Sequence, residues 1–103
     1  MLYEINNTHM SNEDLIGVWK SDSNKKYGDV TMEFNSDRSL TYTVKEGDKK
    51  QIINLIYWVE DDYLYTDQPS SPKIEKTKIS LDDTGKLVLD YEGMPTSFTK
   101  FKL

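Results

Sequence analysis

Two alternating runs and a turn make up the stretch Val30-Thr-Met-Glu-Phe-Asn-Ser-Asp-Arg-Ser-Leu-Thr-Tyr-Thr-Val44. Apolar residues stand at every second position of both runs, and the turn Asn35-Ser-Asp-Arg-Ser39 between them is polar. Successive side chains of a β-strand point to opposite faces, so each run has one apolar and one polar face. The stretch therefore predicts an antiparallel hairpin with one buried face, and it decides the fold class.

Further short runs follow at the spacing of 8–12 residues that is typical of a sandwich or a barrel. They are Gln51–Glu60, Tyr63–Tyr65, Ile74–Leu81, Leu87–Tyr91 and a last run with Phe98 and Phe101. The first of these is apolar on both faces, which predicts a strand covered on both sides or bent across the barrel. We expect about eight strands in an all-β domain without a βαβ crossover.

The first ordered element is expected near Ser11. Ser11-Asn-Glu-Asp14 has an acid three residues after a Ser, as a helix start does, but Gly17 follows too soon for more than one turn. We therefore predict a short N-terminal helical turn within a single domain over residues 11–103. Residues 1–10 are predicted to be a disordered tail, and they lack the basic start and apolar stretch of a signal peptide.

Composition limits the function classes. The chain has 103 residues, a formal net charge of −5 and no Cys. Its length suits one domain, and its negative surface makes nucleic acid a poor partner. No apolar run approaches the ~20 residues of a membrane span. The absence of Cys favours the cytoplasm, while export stays open if a signal peptide has been removed.

Gly17-Val-Trp19 follows the helical turn, and a β-meander leads from it to Phe98-Thr-Lys100-Phe101. This arrangement resembles the lipocalin-like domains of small bacterial proteins. The resemblance implies a small antiparallel up-and-down β-barrel, with Gly17, Trp19 and Lys100 as its barrel-closing motif. Trp19 would plug the closed end and Lys100 would pack over it. The chain departs from the family in having Lys where Arg is usual, in being shorter, and in lacking Cys.

The sequence offers no catalytic constellation. His9 is the only histidine and lies in the predicted tail, without a positioned partner for general-base work. Predicted turns or the helix cap contain the acidic groups, and solvated Asp is favoured at such positions. These groups are Glu13-Asp14, Glu60-Asp61-Asp62 and Asp82-Asp83. We therefore expect no catalytic residue, no metal and no cofactor. A hydrolase or isomerase on the same barrel ranks last among the hypotheses.

Six aromatic residues on the predicted strands are candidates for ligand contact. If they line an open barrel end, they could hold an apolar ligand and orient its polar groups. Alternatively they fill the interior, because an eight-stranded barrel is just wide enough for side chains or one small ligand. Tyr63 and Tyr65 are the best candidates for exposure. The six are Tyr42, Tyr57, Trp58, Tyr63, Tyr65 and Tyr91.

Two functions fit these observations. The first is a non-enzymatic lipocalin-like binding domain for a small apolar ligand, and a fully packed interior would exclude it. The second is a protein-interaction domain, such as an acidic inhibitor or immunity protein that binds a basic partner. An acidic surface would steer it towards such a partner.

Overall fold

The computed structural model of the chain describes residues 10–22, 28–91 and 93–101. Within these residues lie one helical turn and eight strands. The elements are α1 (Asn12–Leu15), β1 (Gly17–Ser21), β2 (Asp29–Phe34), β3 (Ser39–Glu46), β4 (Lys49–Glu60), β5 (Tyr63–Asp67), β6 (Ile74–Leu81), β7 (Leu87–Tyr91) and β8 (Met94–Phe101). Residues 1–9 of the predicted tail lie outside the described residues, and Met10 packs against the hydrophobic core.

Each strand pairs antiparallel with the next one in the chain, and β8 pairs with β1 to close a barrel. The hairpin predicted from Val30 to Val44 is present, with Val30 opposite Val44 and Phe34 opposite Leu40. The prediction of a small all-β, up-and-down barrel of about eight strands with a short helical turn is confirmed.

The two ends of the barrel differ because its connections alternate between them. α1 lies at one end with the β2–β3, β4–β5 and β6–β7 turns, and the β3–β4 and β5–β6 connections lie at the other. The core uses the inward face of every strand, as the period of two predicts. Its buried residues are Leu15, Trp19, Val30, Met32, Phe34, Leu40, Tyr57, Leu64, Ile79, Leu87, Leu89 and Phe98.

The helical turn is stabilised at its start by Asp14. Its carboxylate accepts a hydrogen bond from the Ser11 backbone N–H at 2.9 Å, which holds the residue before the helix in place. Leu15 then enters the core, where it is fully buried. The helix ends at Leu15 because Ile16 has a ψ of 126°, far from the helical value, and Gly17 follows with a φ of +132°, which glycine allows.

The longest strand, β4, differs from the prediction on its outer face. Ile52 and Ile56 are 54% and 42% exposed, so the first of the two predicted alternatives, a strand covered on both sides, is wrong. Only the residues that alternate with them turn inward, with Tyr57 buried and Leu55 and Val59 packed against the core. The β-branched and aromatic residues on the outer face suit an extended backbone without being buried.

Candidate functional site

A cup about 350 Å³ in volume lies within the barrel. Inward-facing residues of strands β2 to β7 form its wall, and the β5–β6 connection contributes to its rim. Because that connection lies at the end opposite α1, the cup opens at the end that the helical turn does not close. The interior is therefore not fully packed by side chains.

Aliphatic side chains form the deep part of the cup. Met32, Leu40, Leu64 and Leu89 line it and are themselves almost completely buried. Burial among such residues favours an apolar guest, since each square ångström of apolar surface removed from water contributes about 25 cal/mol. Ile53 and Leu55 of β4 extend the same apolar surface towards the opening.

Hydroxyl groups also line the wall of the cup. Tyr42 on β3, Thr66 on β5 and Thr77 on β6 line the cup and are half-buried. Within the described residues, no hydrogen bond is found for any of these three hydroxyls. A hydroxyl both donates and accepts, so the wall of the cup can bind a polar group of either kind.

The rim carries two charges that neutralise each other. The Lys73 ammonium lies 3.6 Å from a Glu75 carboxylate oxygen, and both side chains are largely exposed. The connection that holds Lys73 is fixed by Asp67, whose carboxylate accepts a hydrogen bond from the Lys73 backbone N–H at 3.0 Å. Pro69 and Pro72 further restrict its backbone. The opening is thus bounded by a constrained connection, and the pair of Lys73 and Glu75 at its rim has no net charge.

The closed end is built around Trp19. Its indole N–H donates to the Leu15 carbonyl at 2.9 Å, which satisfies the one polar atom of a buried side chain. Lys100 lies opposite Trp19 on β8, and its ammonium is 5.5 Å from the centre of the indole ring. A Cβ added to Gly17 would meet the Lys100 Cε at 2.7 Å. The structure thus brings the three predicted motif residues together.

Tyr57 belongs to the closed end and does not line the cup. Its hydroxyl donates to the Asn35 carbonyl at 2.8 Å, and its ring meets Phe34 edge to face with centres 4.9 Å apart. Burial raises the pKa of the Tyr57 hydroxyl above its ordinary value, because the charged form would lose water. The hydrogen bond and the packing give Tyr57 a structural role at the closed end.

The other predicted aromatic positions divide between the wall and the outside. Trp58, Tyr63 and Tyr65 stand on the outer face, since they alternate with the inward-facing residues of β4 and β5. The Trp58 and Tyr65 rings stack with centres 5.4 Å apart, and the Lys76 ammonium lies 4.1 Å from the centre of the Tyr63 ring. Tyr42 lines the cup, and the side chain of Tyr91 lies outside the described residues.

Acidic residues in the turns accept hydrogen bonds from nearby residues and so stabilise the turn backbone. In the β2–β3 turn, the Asp37 carboxylate accepts from the Ser39 hydroxyl and N–H, which keeps its pKa below the ordinary value. In the β6–β7 turn, Asp82 accepts from the Thr84 hydroxyl at 2.7 Å and from the Lys86 N–H. These hydrogen bonds keep the pKa of Asp82 low as well.

Neither a cluster of metal-binding side chains nor a membrane-spanning helix is found in the described parts of the chain. No three acidic or histidine side chains among residues 10–22, 28–91 and 93–101 come together to hold a metal ion. No helix in these ranges has the length and apolar character needed to cross a membrane. His9 lies outside them.

Sequence reasoning missed most residues of the cup. It concentrated on aromatic residues, whereas aliphatic and hydroxyl side chains form most of the wall. The available signal was the period of two: Leu64 and Thr66 share a face of β5, and Thr77 and Ile79 share a face of β6. Polar threonines on a face that is otherwise apolar mark positions where the interior is open to a ligand or to water.

Comparison with protein-family models finds no match for the chain. Comparisons with the curated proteins and with the solved structures find no match either.

Proposed function

We propose that this protein is a non-enzymatic, lipocalin-like binding domain whose cup holds one small, mostly apolar molecule. The observation that carries the proposal is the 350 Å³ cup with an aliphatic floor and three hydroxyl groups in its wall. Ligand sites commonly combine a largely apolar lining with a few polar groups that orient the guest. The Gly17-Val-Trp19 resemblance supports the same function.

The volume of the cup limits the size of the ligand. Pockets for small molecules span roughly 300–1,000 Å³, so this cup is near the lower limit. Since a water molecule occupies about 30 Å³, the cup has room for roughly a dozen non-hydrogen atoms. A medium-chain alcohol or ester is of this size, whereas a long-chain lipid would extend far into solvent.

The charges around the cup favour an uncharged ligand. A charged group moved into the apolar floor would lose water without gaining an opposite charge. At the rim, Lys73 and Glu75 already pair with each other. The hydroxyls of Tyr42, Thr66 and Thr77 can instead hydrogen-bond a neutral alcohol, ester or amide.

Isothermal titration calorimetry with 1-octanol and sodium octanoate tests this proposal. We expect 1-octanol to bind at a ratio of one per chain, with a Kd between micromolar and millimolar, as its size allows. Octanoate should bind at least about tenfold more weakly, a difference of about 1.4 kcal/mol. No heat of binding for either compound would overturn the proposal.

A matched pair of variants locates the site. Thr77→Trp places a large side chain in the cup, and Thr41→Trp makes the same change at a half-buried threonine on the outer face of β3. We expect the first variant to lose at least about tenfold in octanol affinity, and the second to retain it. Equal binding by both variants would place the ligand elsewhere.

An acidic protein-interaction domain is the second candidate. The topology gathers Glu13-Asp14, Glu60-Asp61-Asp62 and Asp82-Asp83 at the closed end, away from the cup. Such a surface would attract a basic protein and bind it less tightly as salt rises. Affinity capture at low salt, repeated with a Glu13→Lys, Asp83→Lys double variant, tests this candidate. A basic partner lost with that variant would support it, and equal capture would count against it.

A further inference from the structure

Half of β4 has a free edge. Lys49 to Ile56 pairs with β3, but pairing with β5 begins only at Ile56, which lies opposite Asp67. No other described residue pairs with β4 between Lys49 and Leu55 on the side away from β3. This free edge, residues 49–55, therefore presents seven consecutive residues of strand with one unpaired side.

The hydrogen-bond pattern shows which backbone groups this edge presents. The Tyr57 N–H donates to the Arg38 carbonyl at 3.0 Å, so the backbone of Tyr57 faces β3. Along an antiparallel strand, backbone groups point alternately to the two neighbours. Lys50, Ile52 and Asn54 therefore direct their N–H and C=O groups to the free edge. The edge presents donors and acceptors in equal number.

The side chains of this edge protect it only at its beginning. Lys49 and Lys50 carry charges of the kind that discourage edge-to-edge pairing. The following segment, Gln51-Ile-Ile-Asn-Leu55, has neither a charge nor a proline. Ile52 is 54% exposed on its outer face. An uncharged edge of this kind readily accepts another strand.

We propose that the free edge pairs antiparallel with the same edge of a second copy of this chain, about a two-fold axis at Ile52. Ile52 is the midpoint of residues 49–55, so this register uses the whole edge. It places Ile52 opposite Ile52 of the second copy, Lys50 opposite Asn54, and Asn54 opposite Lys50. In these three pairs every free N–H meets a free C=O, as a pair of hydrogen-bonded antiparallel residues requires.

Charge also favours this register. The two Lys50 residues are offset by four positions, or about 13 Å at 3.3 Å per residue. That distance exceeds the screening length of about 8 Å at physiological ionic strength. A centre at Lys50 would place two lysines directly opposite each other, and would shorten the paired segment. The edge therefore pairs best with another copy of itself in the register centred at Ile52.

Cysteine cross-linking tests the register directly, because the chain contains no Cys of its own. In the proposed pair, the two Cα atoms of residue 52 are about 5.5 Å apart, within the disulfide range of roughly 4.4–6.8 Å. Ile52→Cys should therefore form a covalent dimer under mild oxidation. The control is Ile74→Cys, at an isoleucine that is 63% exposed on the outer face of β6. We expect dimerisation at least about tenfold faster for the first variant. Equal rates would overturn the register.

Sedimentation equilibrium of the unmodified chain tests the association itself. The mass should rise from 12.0 kDa towards twice that value between micromolar and millimolar concentration. Ile52→Lys should remain a monomer, while Ile74→Lys should associate like the unmodified chain. Circular dichroism checks that each variant is folded. A monomeric unmodified chain at millimolar concentration would overturn the proposal, as would an Ile52→Lys variant that still dimerises.

Discussion

Replacing Gly17 by Ala tests how the closed end of the barrel is built. Gly17 has a φ of +132°, which side chains other than glycine rarely allow. A Cβ at this position would also stand 2.7 Å from the Lys100 Cε. Lys100 would have to move, and its ammonium would leave the face of the Trp19 ring.

The two effects add to a measurable loss. A residue other than glycine in such a backbone region costs about 1–3 kcal/mol. Loss of the contact between Lys100 and Trp19 removes about 0.5–1 kcal/mol at a partly exposed site. We therefore expect Gly17→Ala to lower the free energy of unfolding by about 2 kcal/mol. At about 4 °C per kcal/mol, Tm should fall by about 8 °C.

Gly47→Ala is the matched control. Gly47, in the β3–β4 turn, has a φ of +61° and no other atom within 4 Å of an added Cβ. Only the left-handed backbone opposes this substitution, at about 1 kcal/mol. Urea denaturation followed by Trp fluorescence measures both variants. If Gly17→Ala is no more destabilised than Gly47→Ala, the proposed packing of Lys100 over Gly17 does not limit stability.

Two further substitutions, the first with a control variant, test polar contacts. Tyr57→Phe removes the buried hydrogen bond of the Tyr57 hydroxyl and should lower the free energy of unfolding by about 1 kcal/mol. Tyr65→Phe, on the outer face, is the control and should change this free energy little. Urea denaturation measures both variants. Hydrogen bonds from the Thr99 hydroxyl at 2.6 Å and the Lys86 ammonium at 2.9 Å keep the pKa of Asp22 below its ordinary value. A lowered pKa stabilises the fold above about pH 4 and loses that effect as pH falls through the folded-state pKa. Asp22→Asn should therefore be less stable than the unmodified chain near neutral pH, and the difference should shrink in acid; an unchanged difference would contradict this.

The strands were predictable because the barrel is a repetition of one local pattern. Alternation from Val30 to Val44 gives the inward face of β2 and β3, and polar turns mark where each strand ends. The short motif Gly17-Val-Trp19, directly after the helical turn, likewise indicated the start of β1. These features depend on residues that are neighbours in the sequence.

The exposed face of β4 could not be predicted in the same way. Ile52 and Ile56 have the residue type of a covered strand, yet they face outward. Their exposure follows from their position on the outer face of a single-layered barrel. Whether that face is covered is decided by the whole fold and leaves no mark on the local pattern.

The residues of the cup could be predicted only in part, because the cup too depends on which strands are adjacent in the barrel. The sequence offered the aromatic residues either as ligand contacts or as filling for the interior, but the structure places Tyr57 inside at the closed end and Trp58 on the outer face. Thr66 and Thr77 come together because β5 and β6 are adjacent in the barrel, although neither residue type stands out in the sequence.

Methyl chemical-shift mapping during a titration with 1-octanol tests ligand binding in the cup most directly. The floor residues Leu40, Leu64 and Leu89 report from inside the cup, and Ile56 and Ile74 report from the outer face. We predict saturable shifts at the three leucines with little change at the two isoleucines. Shifts confined to the outer face, or no saturable shift at any of the five residues, would contradict ligand binding in the cup.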